Sequence, residues 1–185
     1  MTFETFFNSE IKARLIKFFV YNGGQSFRVP AIAARLDVPT RLVKKPLAEL
    51  AADGFVKGRV SSGFSVNRAF PFLEDIKLLV LEFPPITDGR LIKEANKIGR
   101  MKLLIVAGIL INTEKARTDI LLVGDNMSER KAERFLRFVE SCVGTELRYT
   151  LLKTEEFKYR KSMFDRFVLD ILEFPHRKVI NKLKV

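Results

Sequence analysis

The stretch that most constrains the fold is residues 26–68, where prolines, glycines and polar residues divide the chain into short segments. Pro30 suits the first turn of a helix, where its missing N–H costs nothing, and it predicts a short helix there. Residues 37–40 supply the turn that follows, and Thr40 is a suitable N-cap for a second helix. Gly54 is expected to end that second helix, because glycine commonly follows the last helical residue. The sequence therefore predicts two helices joined by a tight turn.

The second of these helices has two contrasting sides. At about 100° per residue, its apolar residues Val43, Leu47 and Leu50 share one side. The opposite side carries cations and small residues, namely Arg41, Lys44, Lys45, Ala48 and Ala52. Pro46 lies within the helix and removes a hydrogen bond, so the helix is expected either to kink there or to begin later than Thr40. The apolar side predicts a core contact, and the basic side can enter the major groove of DNA.

A β-hairpin is predicted directly after this helix. Phe55, Phe64 and Val66 are strand-forming residues, and the segment Ser61-Ser62-Gly63 supplies the turn between two short strands. The order of helix, turn, helix and hairpin resembles a winged helix-turn-helix, in which the second helix contacts DNA bases. The resemblance implies double-stranded DNA as a partner. The predicted DNA-binding residues are Arg41, Lys44, Lys45, Lys57, Arg59 and Arg68.

Composition narrows the classes of partner and site. The net charge of +11 favours a polyanionic partner, but both halves of the chain are basic, so the charge does not locate the binding surface. One cysteine and one histidine exclude an internal disulfide and a Cys/His zinc site, and no cofactor or metal is predicted. The longest apolar run, residues 103–111, is too short to span a membrane, and the N-terminus lacks a signal-peptide pattern. A cytoplasmic protein with no membrane partner is therefore predicted.

Three regions follow from the pattern along the chain: a DNA-binding domain at residues 1–71, a connecting helix at 72–86 and a second domain at 87–185. The second domain alternates helical and strand patterns, with strands expected at 103–111, 119–123 and 146–152 and a short final strand at 179–183. Ser128 and Thr154 are expected to cap two helices. The helix that begins at Thr154 is expected to continue as one long helix through Phe164 to Ile171. This alternation predicts an α+β fold class with a mixed sheet in the second domain.

The second domain resembles a minimal nucleotidyltransferase domain. The residues that carry the resemblance are the strand Thr118-Asp119-Ile120, the helix and strand after it, and Thr154-Glu155-Glu156-Phe157 at the start of a further helix. The passage at 64–72 is also similar to the one that leaves the hairpin in proteins joining a winged helix to such a domain. The resemblance covers nearly the whole chain and implies that fold for its C-terminal part.

The catalytic signature of that family is incomplete in this chain. The family places a Gly-Ser pair after the first strand and an Asp-x-Asp on the second, and these carboxylates hold two Mg²⁺ ions. Here Ile109 stands where the serine is expected, and Leu121 stands two residues after Asp119. The next carboxylate, Asp125, is about 20 Å further along a strand, and Glu146 is an isolated acid. The chain is therefore predicted not to be an enzyme, and its second domain to serve dimerisation or ligand sensing.

Two explanations stay open for a surplus of apolar residues: a homodimer that buries them against a second copy, and packing of the same residues against their own domains. Phe3, Phe6 and Phe7 precede the first helix, and the connecting helix carries an apolar stripe of Phe72, Ile76, Leu79, Val80 and Phe83. The favoured function is a DNA-binding transcriptional regulator. Two alternatives remain open: an active nucleotidyltransferase, and a protein-interaction module whose winged helix does not bind DNA.

Overall fold

The computed structural model describes residue 7 and residues 9–113 and 115–185. The chain forms two compact units. The N-terminal unit comprises the residues up to Pro84 together with Phe138–Thr145, and the C-terminal unit comprises Pro85–Arg137 and Glu146–Val185. Helices accompany a two-stranded sheet in the first unit and a four-stranded mixed sheet in the second. The predicted α+β fold class is confirmed.

The N-terminal unit is built mainly from four helices and one hairpin. Its elements are α1 (Glu10–Tyr21), α2 (Val29–Arg35), α3 (Thr40–Ala52), β1 (Val56–Arg59), β2 (Gly63–Val66) and α4 (Leu73–Glu82). Ser9 caps α1 by accepting a 3.3 Å hydrogen bond from the backbone N–H of Lys12. The core joins all of these elements and includes Leu15, Phe18, Ile32, Leu47 and Phe55.

Helix α3 begins at Thr40 and continues through Pro46 to Ala52, so the expectation of a later start is wrong. Thr40 is the first helical residue, and Pro39 is the N-cap instead, because its extended backbone (φ −57°, ψ 135°) leads directly into the helix. The preceding turn is closed by Asp37 at φ +51°, a left-handed conformation that aspartate tolerates better than most residues. The backbone angles of Asp37 and Pro39 therefore set the direction in which α3 begins after the turn.

The predicted hairpin is present. Strands β1 and β2 pair antiparallel, with Val56 opposite Val66 and Arg59 opposite Gly63. A third segment joins them at a single residue, because Phe27 and Phe64 exchange two backbone hydrogen bonds of 2.9 and 2.8 Å. Through this bridge, the chain between α1 and α2 becomes part of the same small sheet.

Most of the apolar stripe on α4 packs, at least partly buried, against the core of the N-terminal unit itself. Val80 is fully buried, and Ile76, Leu79 and Phe83 pack against the core. The exception is Phe72, which is 62% exposed. Phe7 also packs partly against this core, whereas the predicted contacts of Phe3 and Phe6 lie outside the described residues. The surplus of apolar residues that motivated a homodimer is therefore smaller than the sequence indicates.

The C-terminal unit centres on a four-stranded sheet in the order β5-β4-β3-β6. Its elements in chain order are α5 (Asp88–Ala95), β3 (Arg100–Ala107), a 3₁₀ helix (Gly108–Ile111), β4 (Ile120–Asp125), α6 (Glu129–Val143), β5 (Tyr149–Lys153), α7 (Thr154–Ser162), α8 (Arg166–Glu173) and β6 (His176–Asn181). Helix α6 belongs to this unit only up to Arg137. Strand β3 is antiparallel to β4 and β6, whereas β4 and β5 are parallel and need the α6 crossover. The sheet face that includes Leu103 and Leu121 packs against Phe157 and Ile171.

Several predicted limits in this unit are wrong. The strand expected at 103–111 begins at Arg100 and ends at Ala107, because Gly108 adopts φ +54° and starts the 3₁₀ helix. The second strand begins one residue after Asp119, and the third covers only Tyr149–Lys153. The last strand is His176–Asn181 instead of 179–183.

The single long helix expected after Thr154 is two helices. Helix α7 ends at Ser162, and Phe164 adopts φ +55° with 77% of its surface exposed instead of joining the core. Asp165 then caps α8, since its Oδ1 accepts a 3.1 Å hydrogen bond from the N–H of Val168. Thr154 is the first residue of α7, and the N-cap is Lys153.

Candidate nucleic-acid interface

Helix α3 separates its apolar and basic residues by burial. Val43, Leu47 and Leu50 are at most 3% exposed, because this side packs in the core beside α1 and α2. The structure brings the three predicted cations of α3 together on the opposite, exposed side; they are Arg41, Lys44 and Lys45. Ala48 and Ala52 are exposed on the same side and are small enough to let another surface approach the helix closely.

Glu49 of α3 and Asp53, the C-cap of that helix, share one lysine of α1. Lys12 Nζ lies 3.7 Å from Glu49 Oε2 and 3.3 Å from Asp53 Oδ2. By contrast, none of Arg41, Lys44 and Lys45 forms an ion pair with any carboxylate of the described residues. The basic side of α3 therefore keeps its charge, while Lys12 offsets one of the two negative charges near the end of the helix. The sequence analysis missed Lys12, since no local pattern relates it to residues 37 and 41 positions away.

The hairpin presents two further predicted cations. Lys57 and Arg59 are both exposed and are separated by one residue on β1, so they project from the same face of the strand. Val60 follows them in the turn and is 75% exposed. Ser26 Oγ donates a 3.3 Å hydrogen bond to the carbonyl of Ser62, which ties the turn to the segment before α2.

Arg68 is positioned by its neighbours at the end of the hairpin. Asn67 Nδ2 donates a 2.9 Å hydrogen bond to the carbonyl of Gly54, and Asn67 Oδ1 accepts from the N–H of Ala69 at 3.2 Å. The exposed Arg68 guanidinium lies so near Gly24 that a Cβ there would be 2.7 Å from Nη2. Arg68 thus packs beside the turn after α1.

In the C-terminal unit, the acid that the transferase resemblance would use is already fully engaged. Asp119 is 4% exposed, and its Oδ1 accepts from the N–H of Ile109 at 3.2 Å and from Arg148 Nη2 at 3.1 Å. Its Oδ2 accepts from the N–H of Arg148 at 2.9 Å and from Arg148 Nε at 3.1 Å. The hydrogen bond to Asp119 raises the pKa of Arg148, which therefore stays charged.

The other residues of the transferase signature do not converge on Asp119. Leu121 is buried in the core of the C-terminal unit, Asp125 is the last residue of β4, and Glu146 is exposed. Gly108 has a structural use, because a Cβ at this position would lie 1.9 Å from Asp119 Oδ1. Among the described residues, no group of three or more His, Cys, Asp or Glu side chains is arranged to hold a metal ion.

Comparison with known proteins adds no relative: no family model, no curated protein and no solved structure matches the chain. Within residues 9–113 and 115–185, no helix is long and apolar enough to cross a membrane. Function is therefore inferred from the geometry and charge of the described residues.

Proposed function

We propose that the protein is a DNA-binding transcriptional regulator whose N-terminal unit is a winged helix-turn-helix. In this proposal, α2 and α3 with the four residues between them form the helix-turn-helix, α3 is the recognition helix, and the β1–β2 hairpin is the wing. The predicted contacts are Arg41, Lys44 and Lys45 in the major groove and Lys57, Arg59 and Arg68 on flanking phosphates.

The observation that carries the proposal is the uncompensated positive side of α3. Cations that neutralise DNA phosphates release condensed counterions, and this release supplies a large part of protein–DNA affinity. Arg41, Lys44 and Lys45 are available for such contacts, whereas Glu49 and the C-cap Asp53 share an ion pair with Lys12. The exposed Ala48 and Ala52 beside the cations leave room for the DNA backbone.

For the C-terminal unit, we propose a degenerate nucleotidyltransferase-like domain that serves dimerisation or ligand sensing and does not transfer nucleotides. The support is the complete engagement of Asp119, because a carboxylate that accepts four hydrogen bonds has no oxygen lone pair directed at a metal. Incubation with labelled nucleoside triphosphates and Mg²⁺ should give no labelled protein or RNA. Transfer that Asp119→Asn abolishes would revive the active-enzyme alternative.

The regulator proposal is tested by binding to duplex DNA in a pool of random sequence. The Arg41→Ala, Lys44→Ala, Lys45→Ala triple variant should bind more weakly than the parent protein. A charge-matched control replaces Arg130, Lys131 and Arg134, three exposed cations of α6, with alanine and should bind as the parent does. Absence of duplex binding by the parent at low salt would favour the protein-interaction alternative.

A further inference from the structure

The turn between α7 and α8 holds a phenylalanine at a position that normally belongs to glycine. The N–H of Asp165 bonds to the carbonyl of Arg160 at 2.9 Å, and the N–H of Phe164 bonds to the carbonyl of Lys161 at 3.2 Å. These two bonds define a Schellman motif, in which the residue with positive φ is usually glycine. Here that residue is Phe164 at φ +55°, a conformation that is strained for a bulky side chain.

Packing within the chain does not compensate for this strain. Phe164 is 77% exposed, and Met163 and Tyr159, which precede it closely in the chain, are 63% and 65% exposed. Large apolar side chains this exposed contribute little hydrophobic stabilisation, so neither the backbone nor the core explains the aromatic residue. Strained residues of this kind concentrate at functional sites. An external contact for the ring is the explanation that remains.

Two arginines share one buried carboxylate of α8: Arg166 is the first residue of α8, and Arg117 lies in the loop before β4. Asp170 is fully buried, with Arg117 Nε 2.7 Å from its Oδ2 and Arg166 Nε 2.9 Å from its Oδ1. One carboxylate balances only one of the two guanidinium groups, so the cluster keeps one positive charge. The side chains of Arg117 and Arg166 are 55% and 76% exposed, and their Nη atoms form no hydrogen bond with the described residues. Asp170 thus holds Arg117 through a hydrogen bond and Arg166 through an ion pair, while both arginine side chains remain more than half exposed.

We propose that this surface binds single-stranded nucleic acid, with Phe164 stacking on an unpaired base and Arg166 and Arg117 contacting phosphate. Guanidinium groups bind phosphate with planar pairs of N–H donors, and base–aromatic stacking is the usual companion of such contacts on single strands. Phe164 and Arg166 are two residues apart, so their Cα atoms are at most about 7 Å from each other, which lets one nucleotide reach both. Lys158 and Lys161 are exposed on α7 and add positive charge to the segment before Phe164.

A single strand fits these features better than a duplex, because only an unpaired base exposes its face to a side chain. The site is also separate from the proposed recognition helix, since all of its residues belong to the C-terminal unit. It therefore does not depend on duplex binding by α3.

The test uses the full chain, short labelled oligothymidylate and oligouridylate, and four variants. Phe164→Gly should weaken binding about tenfold or more, as expected for loss of a stacked base. The same variant should raise Tm by about 2–4 °C, because glycine relieves the strain at positive φ. A merely structural role for Phe164 predicts lower stability and unchanged binding.

The remaining variants separate stacking from general charge. Arg166→Gln keeps Arg117 on Asp170 and should reduce the salt slope of single-strand binding by about 0.7. Tyr149→Ala, which removes a half-exposed aromatic residue of the same unit, should leave binding unchanged. The triple alanine variant of α3 should also keep single-strand binding, so failure of the regulator proposal would be seen separately. Equal binding by Phe164→Gly and the parent, or binding to phosphatidylserine vesicles but not to either oligonucleotide, would overturn the proposal.

Discussion

The guanidinium of Arg148 and the carboxylate of Asp119 form a bidentate pair, with Nε–Oδ2 and Nη2–Oδ1 distances of 3.1 Å each. Asp119 is buried, whereas Arg148 is largely exposed. The arginine therefore donates hydrogen bonds to the buried carboxylate from the protein surface. The same guanidinium donates a 3.1 Å hydrogen bond to the carbonyl of Ala116. This bond connects the loop before β4 to the residue just before β5. The pair therefore connects two parallel strands at one end of the sheet.

Replacement of Arg148 should destabilise the C-terminal unit. Arg148→Met keeps the apolar stem but leaves the oxygens of Asp119 with two fewer donors, and the expected loss in the free energy of unfolding is about 1–3 kcal/mol. Urea denaturation measures this loss. Lys153→Met, at an exposed residue of β5 without an ion pair in the described chain, should change the free energy by less than about 0.5 kcal/mol. Equal effects of the two variants would show that the pair has no structural role.

Two glycine substitutions should have opposite effects. Gly108→Ala places a methyl group 1.9 Å from Asp119 Oδ1 and forces alanine to φ +54°, so it should cost more than about 1–2 kcal/mol of stability. Gly89→Ala lies in α5 with no atom within 4 Å of the new methyl group and should stabilise by about 0.5–1 kcal/mol. Thermal unfolding of both variants and the parent protein should show a lower Tm for Gly108→Ala and a higher Tm for Gly89→Ala. A Gly108→Ala protein as stable as the parent would contradict the close contact with Asp119.

The sequence predicts an element well where a local pattern repeats. The two sides of α3 follow from helical periodicity over thirteen residues, and the hairpin follows from its turn residues. Pro46 was expected either to kink α3 or to delay its start, and the helix begins at Thr40 and continues through Pro46. Exposure of the six predicted DNA-binding cations agrees with their proposed role, and their contact with DNA stays a prediction.

Contacts between distant residues are what the sequence does not predict. Asp119 and Arg148 are 29 residues apart, and Lys12 and Asp53 are 41 apart, so no local spacing indicates either pair. The break between α7 and α8 was missed for another reason. Phe164 falls at helical spacing with Phe157 and Phe167, so the pattern assigns it to a core, whereas the cap made by Asp165 starts a new helix.

Tyr21 should respond to alkaline pH in a way that exposed tyrosines do not. Burial raises the pKa of its phenol from 10.0 to about 12, and its hydroxyl has no hydrogen-bond partner among the described residues. Because the folded state holds the proton more tightly, the associated stability is complete below pH 10 and is lost as pH rises toward about 12. The free energy of unfolding should therefore fall more steeply over this range for the parent than for Tyr21→Phe. Parallel pH profiles of the two proteins would contradict the burial of this phenol.

A homodimer stays a prediction, and its remaining apolar candidates are on α4 and just before it. Phe72 and Leu78 are 62% and 68% exposed, and a contact with a second copy would bury them. Light scattering at micromolar concentration should then give about twice the chain mass of 21.3 kDa. Leu78→Arg should return the mass to that of one chain. A monomeric parent protein would rule out this assembly.

The salt dependence of duplex DNA binding tests the central claim most directly. If Arg41, Lys44 and Lys45 each contact a phosphate, their joint replacement by alanine should reduce the slope of log K against log salt by about 2.7, since each contact contributes about 0.9. Replacing Arg130, Lys131 and Arg134 removes the same charge from α6 and should leave the slope unchanged. A reduced slope in the α3 variant alone is the predicted result, whereas equal slopes in the parent and the folded α3 variant would contradict recognition of DNA by this helix.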